Sequence, residues 1–94
     1  MFERQKAFEA ALAFSVFKMD ANDLERDTLR SLSLKLGQKT MFSSTDVVRV
    51  AGMLSDFKVT NARILNGKLE RVLDFACQRG VNLVQSAYVV SKMA

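Results

Sequence analysis

The chain has 94 residues and a net charge of +4, with no proline, no histidine, no tryptophan and a single cysteine. That length makes one domain, and the missing imidazole removes the commonest general base and metal ligand, which argues against Ser-His or Cys-His nucleophiles and most metal sites. Charge is unevenly spread: residues 1–27 hold six acids against four bases and residues 28–94 hold ten bases against four acids, so the first part is net −2 and the rest net +6.

Without proline, long stretches are free to be helical. The pattern predicts an all-α fold, a compact bundle of about five helices containing a helix-turn-helix, as one domain over residues 1–94. The first predicted helix covers about Phe2–Lys18, with Phe8, Ala11, Leu12 and Ser15 at helical spacing. Its second half, Ala10–Phe17, is apolar nearly all round, which predicts burial on several sides.

After a turn at Asp20–Asn22, Asn22 and Glu25 have the spacing of a capping box. The second helix is expected to run to about Leu36, with Leu24, Leu29, Leu32 and Leu36 as its stripe and Gly37 as the left-handed residue that ends it. Ser43 opens a third helix to Phe57, with Asp46 at its third position and Phe42 placed to staple onto Val47. Val47, Val50, Ala51, Leu54 and Phe57 form its inward face, and mid-helix Gly52 suggests a close helix approach.

Lys58–Val59 is a short turn, and Thr60 caps the longest predicted helix, to Arg79. Leu65, Leu69, Val72, Leu73 and Ala76 form its stripe, and Gly80 ends it. Asn82 caps a last helix to about Lys92, with Leu83, Ala87 and Val90 facing in.

Little here supports catalysis. Asp20, Asp23, Glu25 and Asp27 lack the spacing of a calcium loop and read as first-turn charges on a helix. Cys77, in a helix beside Phe75 and Ala76, reads as an inert filler. A lone cysteine forms no internal disulfide, which suits a reducing compartment. No apolar run approaches a membrane span, and Glu3 and Glu9 do not suit a signal peptide. We therefore expect a cytoplasmic protein without catalysis, cofactor, metal, membrane contact or small-molecule substrate.

Two binding readings remain. The basic residues 28–94 suit an anionic partner. The run Lys58-Val-Thr-Asn-Ala-Arg-Ile64 resembles the Gly-Val-Ser-x-x-Thr-Val stretch of many helix-turn-helix regulators. Asn61–Gly80 is similar to the recognition helix of winged-helix repressors, although Lys58 stands where the turn glycine is usual and Val81–Ala94 reads as helix rather than wing. The resemblance implies a DNA-binding transcriptional regulator in which Asn61, Arg63 and Asn66 face base edges while Lys58, Lys68 and Arg71 meet phosphates. The rival is a helical adaptor, chaperone or inhibitor that docks on another protein through Phe14, Phe17, Met41 and Phe42, soft or aromatic residues near helix ends and loops. An apolar fraction of 49% in so short a chain also predicts a homodimer.

Overall fold

Side chains that cap helices fix most of the element boundaries. The computed structural model describes the backbone of residues 2–93 and the side chains of residues 5–93. Its helices are α1 (Phe2–Met19), α2 (Asp23–Lys39), α3 (Ser44–Asp56), the single turn α4 (Asn61–Arg63), α5 (Leu69–Arg79) and α6 (Leu83–Ser91), with a widened turn, Ile64–Lys68, between α4 and α5. No strand occurs among the described residues, so the all-α bundle is as expected. The radius of gyration is 12.1 Å, against about 12 Å for a compact chain of this length.

The capping box at Asn22 is complete: its side chain accepts from the Glu25 N–H, and the Glu25 carboxylate accepts from the Asn22 N–H. Ser43, Thr60 and Asn82 each accept from the backbone N–H three residues on, meeting donors that a helix start leaves free. Gly80 ends α5 in the left-handed region at φ 64°.

The centre of the bundle is α3, which packs against α1, α2, α5 and α6. Val47, Val48, Val50, Ala51 and Leu54 are all fully buried. The burial on several sides predicted for Ala10–Phe17 is therefore found on α3, where only Arg49 among Val47–Leu54 is exposed, and not on α1. Phe8, Ala11, Leu12 and Ser15 of α1 do face inward, while Phe14 is 61% and Phe17 83% exposed. Buried Ser15 donates its hydroxyl to the Val48 carbonyl at 2.7 Å. A Cβ on Gly52 would stand 3.0 Å from that hydroxyl oxygen, so α1 and α3 meet closely where both residues are small.

Three further expectations are corrected. Leu24 does not belong to the buried stripe of α2; it is 75% exposed. Gly37 does not end α2, which runs to Lys39 and finishes with Thr40 donating its hydroxyl to the Leu36 carbonyl. Gly37 instead makes room for α3: an added Cβ would fall 2.2 Å from the Ser44 hydroxyl oxygen and 2.8 Å from the Ser44 nitrogen. The third correction concerns the longest predicted helix, which is broken. Asn66 (φ −100°, ψ 30°) and Gly67 (φ 124°, ψ −20°) leave helical geometry, and the Leu69 N–H donates to the Ile64 carbonyl, five residues back.

That wide turn explains a change in the buried set. On a straight helix at about 100° per residue, Ile64 would point roughly 130° away from the face centred on Leu69, Val72, Leu73 and Ala76. The break rotates α4 so that Ile64 is fully buried and Leu65, expected in the stripe, is only half-buried.

Glu9 of α1 and Arg30 of α2 form a two-bond fork between carboxylate and guanidinium. The Arg30 hydrogen bond, opposed by slight burial and aided by the charges of Arg30 and Arg26, holds the Glu9 carboxyl below its ordinary value. Its contribution to stability is thus complete above the unfolded carboxyl value, about 4.3, and is lost as pH falls through the lower folded value. Urea unfolding between about pH 5 and pH 3 should show a steeper loss for the wild type than for Glu9→Gln; parallel curves would refute the linkage.

Candidate functional site

The corner between α3 and α4 is a tight turn. The Phe57 N–H closes α3 on Met53 and Leu54, Lys58 takes a left-handed conformation at φ 71°, Val59 is buried and Thr60 caps α4. Lys58 therefore occupies the backbone geometry of the glycine found at this place in helix-turn-helix proteins. A side chain in that region costs about 1–2 kcal/mol, and glycine returns part of the gain as unfolded-state entropy. Lys58→Gly is expected to stabilise the fold by about 0.5–1 kcal/mol, read as a higher urea midpoint; a lower midpoint would count against this account.

Beyond the corner the expected DNA-reading set divides. Asn61 is half-buried, and its side-chain amide donates to the Met19 carbonyl at 3.0 Å and to the Glu25 carboxylate at 3.3 Å. It ties α4 to the acidic α1–α2 corner and does not point freely outward. Lys68, expected at a phosphate, is only 8% exposed. Its ammonium donates to the carbonyls of Val90 at 2.9 Å and Met93 at 2.7 Å, capping the C-terminal end of α6. A cation suits that end of a helix, whose last carbonyls lack intrahelical donors. Burial first, and then repulsion from Arg63 and Arg71, hold Lys68 below the ordinary lysine value.

Lys58, Arg63, Asn66 and Arg71 are exposed. Arg63, Asn66, Lys68 and Arg71 line one open cleft of about 340 Å³ at the break between α4 and α5, with Ala62 and Gly67 completing it. The structure thus gathers four of the six expected residues and leaves Lys58 and Asn61 outside. Among the described residues, no carboxylate lies within ion-pair distance of Arg63, Lys68 or Arg71.

The expected protein interface also divides. Phe14, Phe17 and Met41 are strongly exposed, Met41 at 78%. Phe42 is half-buried and packs against the core, as its stapling position requires. Ala10 and Ala13 are exposed with Phe14 and Phe17, so residues 10, 13, 14 and 17 make an apolar stripe along the outer side of α1. The ammonium of Lys18 lies 4.7 Å from the Phe14 ring centroid while pairing with Asp56 at 2.7 Å, which holds that edge of the stripe in place.

Beside the stripe runs the space between α1 and α2, divided by the Glu9–Arg30 pair. On one side is a hollow of about 350 Å³ lined by Leu12, Ala13, Val16, Phe17 and Arg26. On the other is a wider one of about 1140 Å³, with Phe8 and Leu34 among its apolar walls and Arg30, Ser44 and Arg49 among its polar ones. Neither was legible in the sequence, because both depend on how far α1 and α2 stand apart on α3.

Cys77 is exposed and not an internal filler. Among the described residues, no three potential ligands converge as a metal site, and no helix is long and apolar enough to cross a membrane. No protein-family model, curated protein or solved structure matches the chain.

Proposed function

We propose that this chain is a non-enzymatic protein-binding module that docks an amphipathic helix of a partner protein against α1 and the α1–α2 groove. The single observation that carries this reading is the exposure of Phe14 and Phe17 on a helix whose other face is fully committed to the core. Large apolar side chains left in water beside an apolar groove are the usual setting for helix-in-groove recognition. Arg26, Arg30 and Arg49 border the groove against only Glu9 and Asp46, so a helix with an acidic flank fits better than a basic one.

Tagged wild-type chain should retain one partner in stoichiometric amount, and Phe17→Asp should lose it while keeping its helical circular dichroism. A folded Phe17→Asp variant with unchanged capture would sink the reading. Sedimentation distinguishes the homodimer expected from composition: a wild-type dimer that becomes a monomer in Phe17→Asp makes the partner a second copy.

DNA-binding regulation is the second reading, favoured by the clustering of Arg63, Asn66 and Arg71 in a cleft without carboxylates. With Asn61 engaged internally and the helix broken after Arg63, such binding rests on phosphate contacts more than on base edges. A mobility shift that weakens steeply with salt supports it; no retardation at low salt refutes it.

A further inference from the structure

We propose that the cleft at the break between α4 and α5 seats one phosphate group, gripped by the guanidinium groups of Arg63 and Arg71. The inference is independent of helix docking at α1, and it holds for a phosphate carried by a small phosphomonoester as well as by a nucleic-acid backbone. Three features support it.

The first is charge. Three cationic residues line a small cleft with no acidic residue in its walls, whereas Lys18, Arg30, Lys39 and Arg49 each have a carboxylate within 4.0 Å. Lys68 has its ammonium fixed on α6 and supplies field without direct contact. Its depressed affinity for a proton, caused in part by both arginines, agrees with a local excess of positive charge.

The second is backbone. Gly67 sits at φ 124° with open space where a Cβ would be, so the chain is uncovered at the cleft. Lys68 is the residue just before the eleven-residue α5 and Arg71 lies in its first turn, near the end of the helix that carries positive partial charge.

The third is chemistry. Arginine presents a planar fork of donors that matches phosphate oxygens two at a time. Two such forks, on either side of the break, suit a tetrahedral phosphate group better than a planar carboxylate. Asn66 adds a neutral amide that can donate or accept at the rim.

The test is a two-dimensional ¹H–¹⁵N titration of the full chain with sodium phosphate, a nucleoside monophosphate or a short duplex DNA, each against sodium chloride at equal ionic strength. Saturable shifts confined to Asn66–Arg71 and the arginine side chains are expected, with Arg71→Gln and Arg63→Gln each weakening binding at least tenfold. Arg79→Gln, outside the cleft, should bind as wild type does. Saturation by phosphate or the monophosphate identifies a phosphomonoester site. Saturation by DNA alone, at the same amides, identifies a phosphodiester site. The proposal is overturned if none of the three probes saturates these amides, or if folded Arg71→Gln titrates like the wild type. Shifts spread over the basic residues generally also overturn it.

Discussion

Leu54→Ala is expected to remove about 2–5 kcal/mol of stability, the usual cost of emptying a fully buried leucine site. Domains of this size hold roughly 5–15 kcal/mol in all, so the variant should sit near the edge of folding at 37 °C. Leu54 is fully buried on α3, the helix that packs against α1, α2, α5 and α6. Its carbonyl also accepts the Phe57 and Val59 N–H groups that close the α3–α4 corner. A cavity there loosens contacts on several sides at once, and the site has little room to collapse because its neighbours are anchored on one another. Urea denaturation gives the number directly. A loss under about 1 kcal/mol would mean that α3 is not the structural centre.

Lys68→Ala should cost about 2–3 kcal/mol, the range for hydrogen bonds made by a charged donor. The loss begins locally: this one ammonium joins the Val90 carbonyl of the nine-residue α6 to the Met93 carbonyl just beyond its end. Amide exchange should therefore speed up first over Ala87–Ser91, before the rest of the bundle. Lys68→Met keeps most of the side-chain packing and removes the buried charge, so it should lose about half as much. Because the folded state holds Lys68 below its ordinary value, the wild type gains stability as pH rises towards about 10.4, and that part is lost as pH falls through the folded value. The methionine variant should lack this slope. A methionine variant as stable as the wild type would show that packing, not the ammonium, secures α6.

What could be read from the sequence were the local devices. Asn22, Ser43, Thr60, Asn82 and Gly80 stand where expected because a cap depends on residues three or four apart. The inward faces of α3 and α5 were legible for a similar reason, periodicity. The number of neighbours around each helix was not. Ala10–Phe17 and Val47–Leu54 are both largely apolar, the second interrupted by Arg49, and only the tertiary arrangement makes the second central and the first peripheral. Gly37 follows a leucine stripe as a terminating glycine would, yet its lack of a side chain serves the approach of Ser44. Lys68 lies on a nominally polar face, and its burial depends on α6 folding back over it. Gly67 was the available warning of the break, following asparagine near the start of a long helix, but one glycine alone is compatible with a continuous helix.

The broken segment carries a consequence for how this polypeptide tolerates insertions and deletions. Excising Gly67 alone would invite an unbroken rod from Thr60 to Arg79, and because the wide turn holds one residue more than a regular helical turn, the loss would rotate Ile64 by about 100° to within about 30° of the face centred on Leu69, Val72, Leu73 and Ala76. Ile64 and the Leu69–Ala76 ridge would then share one buried face on a regular helix, so a descendant that lost this one residue would keep its hydrophobic pattern without a compensating exchange.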